Sequence, residues 1–188
     1  MGWFSPIKGH YPSLSQIDKT LPVATGNEGI LRGMIIEMAP GTNADGEFKV
    51  AANATNEALL YIALQDYSDA QAGMAGTTGF DANVPSISEG NITIPAVTAG
   101  VPAITGLSLS MEGEYETDQF KGLDDAQVGD PLTVDTGLLT KATGDAKVVG
   151  YLMGTPYNRW VNNATAKIQG TQVVRQGKNV SVIRFRTK

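Results

Sequence analysis

The chain is 188 residues long, sets 14 Lys and Arg against 19 Asp and Glu for a formal net charge of −5, and contains no cysteine and one histidine. That length holds a single domain, or a domain with an added lobe, and buries a hydrophobic core without covalent staples. The missing thiols exclude disulfides, a cysteine nucleophile and cysteine metal ligation, while the acidic balance argues against a surface that wraps a nucleic-acid backbone.

Residues 1–29 contain Pro6, Pro12 and Pro22 among scattered Gly and Ser and follow a period of neither 2 nor 3.6, which predicts an extended N-terminal arm. Trp3, Phe4 and Tyr11 are unusual in a free tail, so either the chain's own core or a partner buries them. The opening "MGWFSPIKGHYPSLSQ" lacks the apolar stretch of a signal peptide, and no run of 18 apolar residues occurs. The expectation is a soluble protein made in the cytoplasm, with no membrane partner.

A β domain is expected over residues 30–188. "ILRGMIIEMAPGT" ends at Pro40-Gly41, a turn follows at Asp45-Gly46, and "EFKVA" leads to "ALLYIAL", which reads as strand, hairpin turn, strand, loop and strand. A short helix is the alternative near "ATNEALLYIALQDYSDAQA", where Ala58, Tyr61, Ile62 and Gln65 approach helical spacing. Gly73, Gly76, Gly79 and Gly90 mark a long loop, part of a Gly/Ala/Thr-rich insertion around residues 68–106. In "MEGEYET" the alternation puts Glu112, Glu114 and Glu116 on one wet, acidic face and Met111, Tyr115 and Thr117 on the other. The closing "TAKIQGTQVVRQGKNVSVIRF" is expected to turn at Gln176-Gly177-Lys178-Asn179, with Ile183 and Phe185 facing one way and Arg184 and Arg186 the other. About nine short strands predict an all-β fold, a small barrel or sandwich.

Two segments echo each other. Gly33 leads a run through Ile35-Ile36, a turn to Gly46, then Phe48 and Ala51, and later "LLYIAL"; Gly129 leads a run through Leu132 and Val134, a turn to Gly137, then Leu139 and Ala142, and later "VVGYLM". Shared turn rules account for such an echo between two β-meanders, and common ancestry of two halves is the alternative.

Chemistry-bearing patterns are scarce. His10 lies in the arm, where nothing holds an imidazole between a nucleophile and an orienting acid, and no second His or Cys completes a metal site. Asp124 and Asp125 read as a turn, and Asp118, Asp124, Asp125 and Asp130 lack the 12-residue spacing of a calcium loop. "GMAGTTG" has no following Lys-Ser/Thr and reads as a flexible connection. Trp160, in "PYNRWVNN" beside Tyr157 and Arg159, reads as a core tryptophan next to a turn, with a sugar-stacking or partner patch as the other reading. No catalytic, cofactor-binding or metal residue stands out. Residues 175–188 hold five of the 14 cations and no acid, leaving residues 1–174 at a net −10. A basic end on an acidic body suggests docking on an acidic protein surface, a neighbouring copy included, and the other reading is a solvated end strand.

The strings "ILRGMIIEM", "GEFKVA", "LLYIALQD" and "AQVGDPLTVDTGLLTKATGDAKVVGYLMG", within residues 30–66 and 126–154, resemble the small all-β capsid decoration, or cement, proteins of tailed bacteriophages. The resemblance implies a virion protein without enzymatic activity or cofactor, made in the host cytoplasm and placed on the capsid exterior. It implies a homotrimer bound to the major capsid protein, bridging neighbouring capsid subunits, with no nucleic-acid or membrane partner. Trp3, Phe4 and Tyr11 of the arm and Arg184 and Arg186 of the last strand are the candidate partner-binding residues. A tail or baseplate component, a carbohydrate-binding virion protein and a hydrolase with an unrecognised carboxylate pair remain alternatives.

Overall fold

A computed structural model describes residues 2–9, 18–41, 45–67, 87–89, 92–94, 103–110, 112–169 and 172–188. Runs of β-branched and aromatic residues bounded by Gly, Pro, Asn and Asp form its strands. In chain order these are β1 (Phe4–Gly9), β2 (Asp18–Pro22), β3 (Ile35–Ala39), β4 (Glu47–Val50), β5 (Leu60–Ala63), β6 (Ile87–Glu89) and β7 (Ile92–Ile94), followed by β8 (Ala103–Ser108), β9 (Gly113–Thr117), β10 (Pro131–Asp135), β11 (Leu138–Lys141), β12 (Gly150–Gln169) and β13 (Gln172–Thr187). The alternative helix reduces to one 3₁₀ turn at Glu57–Leu59, after which β5 takes the apolar residues into a sheet.

All strand pairs are antiparallel, in a six-stranded sheet ordered β1-β9-β13-β12-β10-β11, a five-stranded sheet ordered β2-β8-β5-β3-β4, and the small pair β6-β7. The fold is all-β and sandwich-like, and the sheets do not close into a barrel. The main core joins both large sheets, with Ile35, Leu60, Ile62 and Leu107 of one against Tyr115, Leu132, Leu139, Leu152 and Phe185 of the other. The alternate residues of the five-stranded sheet, Ile36, Phe48, Ala63 and Ile104, build a second core with Leu21, Val23 and Ile30. That sheet is therefore buried on both faces, which explains why "MII" and "LLYIAL" read as unbroken apolar runs.

The echo in the sequence is a repeat of hydrogen bonds. The five-stranded sheet and the β9-β13-β12-β10-β11 part of the other have the same order when strands are numbered within each half. The Gly33 amide donates to the Ala63 carbonyl and the Ala63 amide to the Met34 carbonyl; the Gly129 amide likewise donates to Leu152, and the Leu152 amide to Asp130. The Ala51 amide bonds Ile35 as the Ala142 amide bonds Pro131, and Leu109 bonds Leu60 as Lys188 bonds Val149. An isolated parallel bridge, Val23 to Phe48 in one half and Phe120 to Leu139 in the other, completes the match. Gly33 and Gly129 sit at positive φ, 88° and 94°, a conformation that glycine enters without a Cβ penalty. Seven residues separate the paired Ala39 and Glu47, against two between Asp135 and Leu138, so the halves differ in spacing along the chain while sharing one pairing scheme.

Two sequence expectations change. The N-terminal arm is extended, but β1 pairs with β9 and β2 with β8, so parts of it are sheet strands. Pro6 is tolerated because β1 is an edge strand whose register shifts between Pro6 and Lys8. The closing hairpin does not turn at Gln176–Asn179: Gly177 lies mid-strand opposite Asn162, and the last pair before the turn is Gln169 with Gln172. Within the expected insertion, β6 and β7 form their own pair, while β8 belongs to the five-stranded sheet. His10, Tyr11, Met111 and the glycines at 73, 76, 79 and 90 lie outside the described residues.

Candidate partner-binding face

Alternation along β9 and β13 sends Tyr115, Ile183 and Phe185 into the core and Glu114, Glu116, Arg184 and Arg186 to the outer face. The pairing sets Glu116 directly opposite Arg184 and Glu114 opposite Arg186. Arg186 Nη2 lies 2.5 Å from Glu114 Oε1, and Arg184 Nη2 lies 3.4 Å from Glu116 Oε1. Arg184 and Arg186 thus pair with acids of their own chain.

The face is not uniformly wet. Glu116 is only 1% exposed, and β12, beyond β13 in the same sheet, supplies the Tyr157 hydroxyl and the Arg159 guanidinium as further donors to it. Burial, followed by the hydrogen bond to Glu116, raises the Tyr157 pKa above that of an ordinary phenol. The Arg159 guanidinium also stacks over the Trp3 ring at 5.5 Å from its centroid. Trp3 Nε1 and Arg184 Nε are buried without a hydrogen-bond partner among the described residues. The Trp3 backbone is fixed by its amide to Asp118 Oδ1 at 2.7 Å and by the Asp118 amide returning to its carbonyl at 3.2 Å.

The other expected partner residues divide. Phe4 is 7% exposed and stacks on Tyr115 at 5.4 Å, so its ring belongs to this chain's core. Trp3 is half-buried at the rim, and Tyr11 lies outside the described residues. Trp160, expected in the core, is 60% exposed, and Tyr151 and Tyr157 are exposed nearby on the same strand at 41% and 37%. The reason is position: Trp160 lies where β12 has left β10 and pairs only with β13. Sequence reasoning missed the burial of Glu116 and the part of Tyr157; the opposed charges of β9 and β13 were the available signal.

The Glu116 carboxylate thus accepts from two guanidiniums and a phenol of its own chain. Asp118 and Asp130, two of the four acids considered for calcium, accept hydrogen bonds instead, Asp118 from Trp3 and Gln119 and Asp130 from Gln127 and Lys141. The hydrogen bonds from the Gln127 amide and Lys141 hold the Asp130 pKa below its ordinary value. Among the described residues no three His, Asp or Glu side chains converge as a metal site. Tyr151, Tyr157 and Trp160 with Arg159 give this part of β12 an exposed aromatic surface beside a cation. Comparison with protein-family models, curated proteins and solved structures gives no match.

Proposed function

We propose that the chain is a virion structural protein that binds the outer surface of a tailed-bacteriophage capsid as a homotrimer. It contacts the major capsid protein, bridges neighbouring capsid subunits and has no enzymatic activity. The observation that carries this reading is where the resemblance falls: the strings within residues 30–66 and 126–154 contain the register-equivalent hairpins β3-β4 and β10-β11. The strings on which this reading rests thus coincide with the repeated unit of the fold. An acidic body suits a protein that is made in the host cytoplasm, ends on the capsid exterior and must not compete for packaged DNA. In this reading the contact uses the rim around Trp3, Arg184 and Arg186, since Phe4 is committed to the core.

The test is addition of the purified protein to undecorated capsids. It should appear at fixed sites in cryo-electron microscopy maps and raise the temperature at which the capsids release DNA. Capsids that stay bare at saturating protein would reject the reading. The exposure of Trp160 favours one second reading, a tail, baseplate or other virion protein that stacks sugars; binding on a glycan array that Trp160→Ala abolishes would select it.

A further inference from the structure

β12 and β13 pair with each other from Gly150–Thr187 out to Gln169–Gln172, but the pairing of β12 with β10 stops at Tyr151 and that of β13 with β9 at Ile183. Beyond Trp160 and Asn179 the two strands continue as a ribbon without a third strand among the described residues. Nine residues of β12 (161–169) face seven of β13 (172–178), with the excess taken up by the register shift between Asn162 and Ala166, and seven residues at about 3.3 Å each give a reach of about 23 Å. An isolated two-stranded hairpin is marginally stable in water, and its open edges are templates for pairing.

Its charge says what covers it. Residues 161–178 include Lys167, Arg175 and Lys178 and no acid, and every one of the nineteen Asp and Glu precedes residue 146. The chain outside that ribbon sets those acids against eleven Lys and Arg, a net −8. Asp124 and Asp125, in the turn before β10, are exposed and make no ion pair among the described residues. The chain therefore carries a cationic projection and an anionic body of opposite sign. A polyanionic nucleic acid is the poorer fit, because the body that brings the ribbon along repels it.

We propose that the ribbon formed by residues 161–169 and 172–178 is an intersubunit arm that lies on the acidic body of a second copy of this chain. The inference rests on the reading that copies associate, and it names the segment and the charge that join them. Charge steering brings the copies together, and the ribbon's backbone edges and cations are satisfied at the contact.

The experiment is sedimentation velocity of the full chain at micromolar concentration. The wild type should associate in low salt and fall apart in 1 M salt, where the screening length is about 3 Å. The triple variant Lys167→Glu, Arg175→Glu, Lys178→Glu should raise the apparent Kd more than tenfold while its thermal midpoint stays that of the wild type. Mixing it with Asp124→Lys, Asp125→Lys should restore association, which a general folding defect does not allow. A triple variant that associates like the wild type removes the ribbon and leaves self-association standing. A wild type that is monomeric in low salt, or that assembles only on added duplex DNA, overturns both.

Discussion

At Glu116 the cost of burying a carboxylate is offset by Tyr157, Arg159 and Arg184 together. Removing its charge leaves two guanidiniums facing each other, and losing one partner of a buried ion pair costs about 3–5 kcal/mol. Both arginine side chains are more than 40% exposed, and solvent reduces that penalty. Glu116→Gln is therefore expected to lower unfolding stability by about 2 kcal/mol, read from the urea midpoint at unchanged slope. Tyr157 gives the pH dependence of the same cluster. Its folded pKa is raised, so its contribution is fully present below pH 10 and is lost as pH rises through the folded value. Wild type should lose stability relative to Tyr157→Phe above about pH 10, and its phenolate absorbance should include one tyrosine that titrates late. The alternation that put Glu116 on the outer face was legible in "MEGEYET", but its burial was not. Burial depends on a strand about 40 residues further along the chain.

The β1 strand shows how a local rule is overruled by its place in a sheet. Three prolines and no period argue against strands in residues 1–29, yet an edge position absorbs Pro6, and Phe4 fills the core beside Tyr115. Phe4→Ala should cost about 3 kcal/mol, the lower end for a buried phenylalanine. Deleting residues 1–17 should lower the melting midpoint by about 10 °C, since each kcal/mol shifts a chain of this size by about 2–4 °C. A truncated chain that melts with the full-length midpoint would detach β1 from the fold. The last hairpin illustrates the opposite error. Gln-Gly is good turn chemistry, but Leu152 opposite Phe185 fixes the register from the core outward, and that register carries Gly177 past as an ordinary strand residue. Strands of 20 and 16 residues exceed the usual length, so a reading tuned to short strands places the turn too early.

For the whole molecule, the two halves share one pairing scheme but meet the rest of the chain differently. Ile62 and Leu107 are paired across β5 and β8 and buried against the second half; their register equivalents, Tyr151 and Arg186, are paired across β12 and β13 and exposed. The first half thus spends this face on its neighbour. The second carries ion pairs there, as the polar outer face of a terminal repeat does in a stacked array. Glycine spacing and the strings "LLYIAL" and "VVGYLM" made the repeat visible in the sequence, while the exchange of an apolar for a charged face became legible only with the registers. It follows that neither half is complete alone, because the main core takes Ile35, Leu60, Ile62 and Leu107 from one and Leu132, Leu139, Leu152 and Phe185 from the other. Each half separated from its partner exposes several large side chains, and burial of each contributes about 1.5–3 kcal/mol, a sum comparable to the whole stability of a domain. Residues 1–110 and 111–188 made as separate chains should each lack a cooperative melt, and an equimolar mixture should regain a single transition by calorimetry. Two independent transitions in the intact chain, or a sharp melt of either half alone, would show instead that the repeats are separate domains joined at Ser110.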